Sequence, residues 1–312
     1  MADGTIHNAK FQDPAVTADG KERASVSFDR LETLWVNTGT LCNVQCAHCY
    51  IESSPANDRL DYLTADDLAP FLDEAESLGA REIGFTGGEP FMNAALPAML
   101  LDCLARGFAT LVLTNAMRPM MRPKMQAALL ALRAEFAAAL TLRVSLDHYA
   151  PALHDAERGP AAFEETAKGV DWLAAKEFRI AIAGRLRWGE SEDETRAGYA
   201  RLFAERGWPL DAQDPSSLVL FPEMDERANV PEITTECWDI LKKDPRSVMC
   251  ASSRMLIKRK DAARPVVLAC TLIPYSAAFE MGDTLTGALG PVRLNHPHCA
   301  KFCVLGGASC SA

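Results

Sequence analysis

Residues 41–50, LCNVQCAHCY, hold Cys42, Cys46 and Cys49 in the spacing C-x3-C-x2-C, with His48 inside the motif. Structural zinc takes four tetrahedral ligands, usually from two C-x2-C pairs. Here the local set stops at three sulfurs, and His48 adjoins Cys49 too closely to be an easy fourth. Buried structural thiols are the plainer reading, but three at this density are unusual. An iron–sulfur cluster held by three thiolates fits the count and leaves a fourth iron open to a small molecule. Spacing alone favours the cluster and leaves the other two readings standing.

Outward from the motif, strand-like and helix-like segments alternate. Apolar runs at 31–37 (LETLWVN), 82–86 (EIGFT), 110–114 (TLVLT), 141–146 (TLRVSL), 179–183 (RIAIA) and 217–221 (SLVLF) read as strands buried on both faces. Thr64 caps a helix with Leu68, Phe71, Leu72, Ala75 and Leu78 on one side. Phe163, Ala167, Val170 and Leu173 repeat that spacing. Ser191 and Glu194 form a capping box, and Gly207 ends their helix. Six β-α units in order predict an α/β fold with a parallel sheet, an open arc or a partial (β/α)6 barrel of TIM type. The expected divisions are a loose lead-in over 1–30, the barrel over 31–225, a linker or helix over 226–245 and a small cysteine-rich domain over 246–312.

The chain of 312 residues carries a net charge of −10, which argues against a nucleic-acid binder that tracks phosphates with a basic stripe. It has no apolar run of about 18 residues and no signal-peptide pattern, so no membrane partner is expected. A reducing cytoplasm follows as the expected compartment, where ten cysteines serve as ligands or free thiols rather than bridges.

Polar residues gather where consecutive strands end, the rim on which parallel barrels carry their chemistry. Gly87, Gly88 and Glu89 follow the second strand, Thr114 and Asn115 the third, Ser145 and Asp147 the fourth. The glycines let a ligand approach the backbone, and Glu89 offers an acceptor to a cation. C-x3-C-x2-C, GGEP, TN and SLD, in this order, resemble the radical S-adenosylmethionine (SAM) enzymes over about residues 31–221.

That resemblance implies a [4Fe–4S] cluster on Cys42, Cys46 and Cys49. Its open iron would take the amino and carboxylate groups of SAM. Reductive cleavage of SAM would give a 5′-deoxyadenosyl radical that abstracts a hydrogen atom from a substrate carbon. It further implies contacts to SAM from Gly87, Gly88 and Glu89 at the amino group and from Ser145 at the ribose or carboxylate. Thr114, Asn115 and Asp147 belong to the same rim. The family often has an aromatic before the third cysteine; here that residue is His48, with Tyr50 adjacent. Arg158, in the string HDAERG, is a candidate for the SAM carboxylate. Arg185, Arg187 and Glu190, beyond the fifth strand, are candidates for SAM or substrate, and Glu223 and Asp225, beyond the sixth, are candidates for substrate. A small-molecule substrate and an electron donor of flavodoxin or ferredoxin type are the implied partners.

The last fifth of the chain carries Cys250, Cys270, Cys299, Cys303 and Cys310. It resembles the twitch or SPASM auxiliary-cluster domains of the same enzymes, though Pro265 stands where those usually have glycine. One auxiliary [4Fe–4S] cluster needs four thiolates and leaves one cysteine over. Cys270, Cys299, Cys303 and Cys310 make a complete set, which frees Cys250 as a redox-active thiol; family position instead makes Cys250 a ligand. A zinc site on Cys270, His298, Cys299 and Cys303 is the alternative. A spare thiol suits an epimerase, returning a hydrogen atom to the opposite face of a sugar or aminoglycoside, as in the radical SAM epimerases of that biosynthesis. An alcohol dehydrogenase and a peptide maturase are the competing enzymes, and an iron–sulfur carrier the non-enzymatic reading.

Overall fold

The computed structural model describes residues 10–308 apart from 224, 226 and 227. Strand β1 (Ser25–Val26) precedes β2 (Thr33–Asn37), β3 (Glu82–Thr86), β4 (Ala109–Thr114), β5 (Leu140–Ser145), β6 (Arg179–Leu186) and β7 (Leu218–Pro222). β2 to β7 lie side by side in chain order, all parallel. Helices α1 (Ala65–Ser77), α2 (Leu96–Ala105), α3 (Pro123–Phe136), α4 (Pro151–Arg158), α5 (Ala162–Ala175) and α6 (Glu192–Arg206) fill the crossovers. This is the partial barrel expected from the β-α alternation.

Local chemistry sets the helix ends. Thr64 Oγ1 accepts from Asp67 N while Asp67 Oδ2 accepts from Thr64 N, satisfying two otherwise orphaned donors at the start of α1. Ser191 and Glu194 do the same for α6, and Gly207 ends it in the left-handed region at φ 67. The apolar faces of the helices pack on the outer face of the sheet, Leu68, Leu72 and Val170 among them. Inside, the Trp35 ring lies on Gly84, where a Cβ would stand 2.6 Å from the ring. Only glycine at that place admits the indole.

Three features depart from the sequence reading. First, the sheet continues past the six expected strands. After α7 (Cys237–Leu241), β8 (Ser253–Ile257) pairs parallel with β2 from Thr33↔Ser253 to Val36↔Leu256. β9 (Val266–Leu268) and β10 (Glu280–Gly282) follow as an antiparallel edge. The sheet has nine strands in the order β10-β9-β8-β2-β3-β4-β5-β6-β7. All five residues of β8 are buried, and the free edge of β2 supplies the pairing such a strand needs. The cysteine-rich segment therefore grows out of the barrel sheet.

Second, the lead-in is anchored from residue 10 onward. Arg23 is fully buried, donates to the carbonyls of Asp13 and Val16 at 2.8 and 2.9 Å, and pairs with Glu232. Glu232 also accepts from the backbone of Phe11 and Ala18, both at 2.6 Å. A buried guanidinium requires that many acceptors. β1 then pairs antiparallel with β11 (Val292–Arg293), tying the two ends of the described chain together. Third, His154 to Arg158 of HDAERG form the end of helix α4, a helix the sequence reading did not place. Among the described residues, no helix is long and apolar enough to cross a membrane.

Candidate active site

The C-terminal ends of the barrel strands open on a cavity of about 170 Å3. Cys42, Cys46 and Cys49 all face it, together with Gly87 and Gly88, Thr114 and Asn115, and Ser145 and Asp147. Tyr50, Arg158 and Arg185 complete the polar wall, and Leu113, Phe221, Leu272 and Phe302 supply the apolar one. The rim read from the sequence thus converges on one void. Glu89, Glu223 and Asp225 are not among its lining residues.

Glu89 sits behind the wall, 1 % exposed. Its carboxylate accepts from Thr114 Oγ1 and Asn115 N, both at 2.8 Å, and from Phe91 N at 3.2 Å. It ties the end of β3 to the end of β4. Burial pushes its carboxyl above the ordinary range, against the pull of those donors. The glycines before it serve an approach of chain to chain. A Cβ on Gly88 would stand 2.2 Å from the Leu41 carbonyl, while Gly88 N donates to Gly39 O and Glu89 N to Leu41 O. GGE is therefore zipped onto the strand end that leads into Cys42.

Across the cavity, Arg158 grips Asp147 with both Nε and Nη2, the latter at 3.1 Å. Burial works against the Asp147 carboxylate, but Arg158 outweighs it and holds the pKa below the usual range. The same guanidinium lowers the thiols of Cys42 and Cys46, yet burial still pushes Cys42 up to about 12.

His154 stands behind this pair, fully buried. Its Nδ1 accepts from Asp147 N at 3.1 Å, so the proton is on Nε2. Burial, then Arg158, lower its pKa to about 4. The folded pKa lies below the unfolded value of about 6.5, so the neutral ring favours the fold in full above that pH. The contribution is lost as pH falls toward 4, by an upper bound of about 3 kcal/mol. Thermal unfolding at pH 7 and pH 5 checks this: the midpoint falls on acidification, and His154→Asn, which keeps the acceptor for Asp147 N, shows a smaller fall.

The mouth carries a closed ring of charges. Glu157 accepts from Arg185 Nη1 and from His48 N, both at 2.9 Å. Arg185 Nη2 reaches Glu223 at 3.1 Å, and Glu223 accepts from Arg187 Nη1 at 2.9 Å. Arg187 Nη2 lies 2.9 Å from His48 Nε2, and His48 Nδ1 lies 2.9 Å from Glu157 Oε2. An arginine only donates, so Nε2 accepts and Nδ1 carries the proton. The residue standing where the family often has an aromatic is thus locked into an ionic ring. Glu190 is held apart from it by Tyr149 and His148.

The second cysteine set also converges. Cys250, Cys270, Cys299 and Cys303 are all buried and line one small void of about 10 Å3, together with His298. Cys299 and Cys303 face it from the π-helix Cys299–Leu305, and Cys250 from the turn Met249–Ala251. Among the described residues, no three His, Cys, Asp or Glu side chains are set to hold a single metal ion. The donor chemistry nonetheless fits an iron–sulfur cluster: four soft sulfurs, screened from water. The void holds about one water, so the thiols must turn apart to receive a cluster. Cys310 lies outside the described residues. Cys103 is a core residue, fully buried, and Cys237 accepts from Thr234 N.

Sequence reading missed Glu157 as the hub of the mouth ring and Phe302 as part of the cavity wall. The signal for Glu157 was its place three residues after His154 on α4, one face of one turn. Phe302, between two cysteines, gave none until the π-helix brought it against Phe221, with ring centroids 5.6 Å apart.

Comparison with known proteins bears on the same stretch. The AdoMet-dependent heme synthase of Methanosarcina barkeri is 30% identical over 147 residues, 45% of this chain and 38% of that protein. The subtilosin biosynthesis protein AlbA of Bacillus subtilis is 29% identical over 144 residues, 46% of this chain and 30% of that one. The aligned part is well under half of either relative. Streptococcus suis SuiB bound to S-adenosylmethionine superposes with a TM-score of 0.57 at 13% identity, over 81% of this chain and 63% of that one. At that identity the likeness is one of fold. The Radical SAM superfamily model matches residues 36–194, just over half of the chain, and spans the cysteine loop, the glycine turn and the strand ends around the cavity. By sequence, fold and the convergence of three thiols on one barrel mouth, the chain belongs to the radical SAM superfamily.

Proposed function

We propose that this radical SAM enzyme carries out a net oxidation of its substrate and holds a second iron–sulfur cluster on Cys250, Cys270, Cys299 and Cys303. One observation carries the reading: Cys250 shares a void with the other three described cysteines of its segment and is not among the lining of the barrel-mouth cavity. That supports a ligand role for Cys250 over the hydrogen-donor role that epimerisation requires. The thiols that do line the mouth are Cys42, Cys46 and Cys49, the set for the SAM cluster.

When bound, the first [4Fe–4S] cluster and SAM supply one-electron reduction and hydrogen-atom abstraction. The chain's own residues prepare the place. Cys42, Cys46 and Cys49 offer three thiolates. Arg158, neutralised by Asp147, adds a buried donor beside them. Ser145, Thr114 and Asn115 offer polar contacts to SAM. Phe221, Leu272 and Phe302 keep water from the reacting carbon. Arg185, Arg187 and Glu223 set both signs of charge at the mouth, which suits a small polar substrate. The match to AlbA, a bacteriocin biosynthesis protein, supports a peptide side chain as the second reading. A flavodoxin or ferredoxin is the proposed reductant, in a reducing cytoplasm.

The test is iron content with solvent labelling. Reconstituted protein is expected to hold about eight irons and Cys250→Ala about four, with 5′-deoxyadenosine still formed from SAM and dithionite. Full iron in the variant, with one solvent deuterium incorporated into wild-type product in D2O, would restore Cys250 as a donor and the enzyme as an epimerase.

A further inference from the structure

Arg254, on β8, is fully buried, yet it makes no ion pair among the described residues. Its guanidinium donates only to carbonyls: Ala288 O at 2.6 Å, Cys250 O and Ser253 O at 2.7 Å, and Gly290 O at 3.1 Å. The Phe28 ring covers it at 4.5 Å. By contrast, Arg23 pairs with Glu232, Arg158 with Asp147, and Arg185 with Glu157. A buried charge without a counter-ion costs several kcal/mol.

We infer that Arg254 is a positioning residue whose charge is the buried counter-ion of the anionic group that Cys250, Cys270, Cys299 and Cys303 hold. This rests on the second-cluster reading. Four thiolates make an iron–sulfur cluster anionic, and each added electron makes it more so. A fixed cation in a low-dielectric site favours the reduced form and raises the reduction potential. The bond from Nη1 to Cys250 O also fixes the turn that presents that thiol.

The experiment uses full-length protein carrying C42A/C46A/C49A, loaded with iron and sulfide, so that only the second set remains. Iron content and the reduction potential, followed by electron paramagnetic resonance, are the readouts. R254M removes the charge, and R254K keeps it. F28E sets a carboxylate beside the guanidinium and leaves its carbonyl clamp in place, with F28L as control. About four irons per chain are expected in the parent. R254M and F28E should shift the potential to more negative values, while R254K and F28L stay near the parent. Loss of iron in R254M and F28E alone, with R254K and F28L fully loaded, supports the same conclusion. An unchanged potential in both neutralised variants overturns the role of Arg254, as does an equal shift or equal iron loss in all four. A parent that takes up no iron overturns the second cluster itself and the inference with it.

Discussion

Cys46→Ala is expected to abolish formation of 5′-deoxyadenosine while leaving the fold in place. Cys46 is partly buried and lines the existing cavity, so removing its sulfur opens no new core cavity, and the stability cost stays within about 0.5 kcal/mol. The chemical cost is of another order. Losing an outer partner of a metal ligand typically costs 10–100-fold. Here one of the three proposed direct ligands disappears, and the described cysteines of the second set line a different void. A fall of more than about 100-fold in 5′-deoxyadenosine follows, with anaerobically reconstituted protein, SAM and dithionite as the assay. The companion measurement is thermal unfolding of the metal-free proteins, which should coincide. Activity retained in Cys46→Ala would remove the loop from the chemistry.

The barrel was legible because each of its parts is a local pattern. A strand buried on both faces is a short apolar run, and a helix start is a hydroxyl with an acid three residues on. Thr64, Ser191 and Gly207 are readable without any tertiary knowledge. The cysteine loop was legible for the same reason: its three thiols lie within one loop, and they face one cavity. What escaped depends on the fold. β8 reads as part of a separate small domain, and only the open edge of β2 recruits it into the sheet. Glu89 looks like a free acceptor, because its three donors come from its own 3-10 turn and the end of a strand distant in sequence. Arg23 sits in a polar stretch that looks loose until Glu232, far along the chain, buries it. The four described cysteines of the second set are spread over 54 residues, so only the folded chain shows that Cys250 stands with the rest.

Glu157→Ala should produce the largest loss of stability among the site residues. Glu157 is 4 % exposed and does three jobs. Its backbone carbonyl accepts from Ala47 N, its carboxylate accepts from His48 N, and that carboxylate neutralises Arg185. Removing the side chain leaves Arg185, itself 9 % exposed, with Glu223 alone at 3.1 Å. Breaking one side of a buried pair in this way costs about 3–5 kcal/mol, because a charge is left in low dielectric. Glu157→Gln keeps an acceptor for His48 N but loses the charge and the second acceptor, which faces His48 Nδ1, so its cost should be nearer 1–3 kcal/mol. The order matters more than the size: Ala below Gln below wild type in unfolding midpoint. Iron retention after gel filtration should follow the same order, because the Glu157 carboxylate holds the loop carrying Cys46 and Cys49 at His48, while the backbone bond to Ala47 survives both substitutions. Equal midpoints in all three proteins would make the ring a surface feature of no energetic weight. A midpoint that falls with iron retention unchanged would separate the ring's part in the fold from any part in holding the cluster loop.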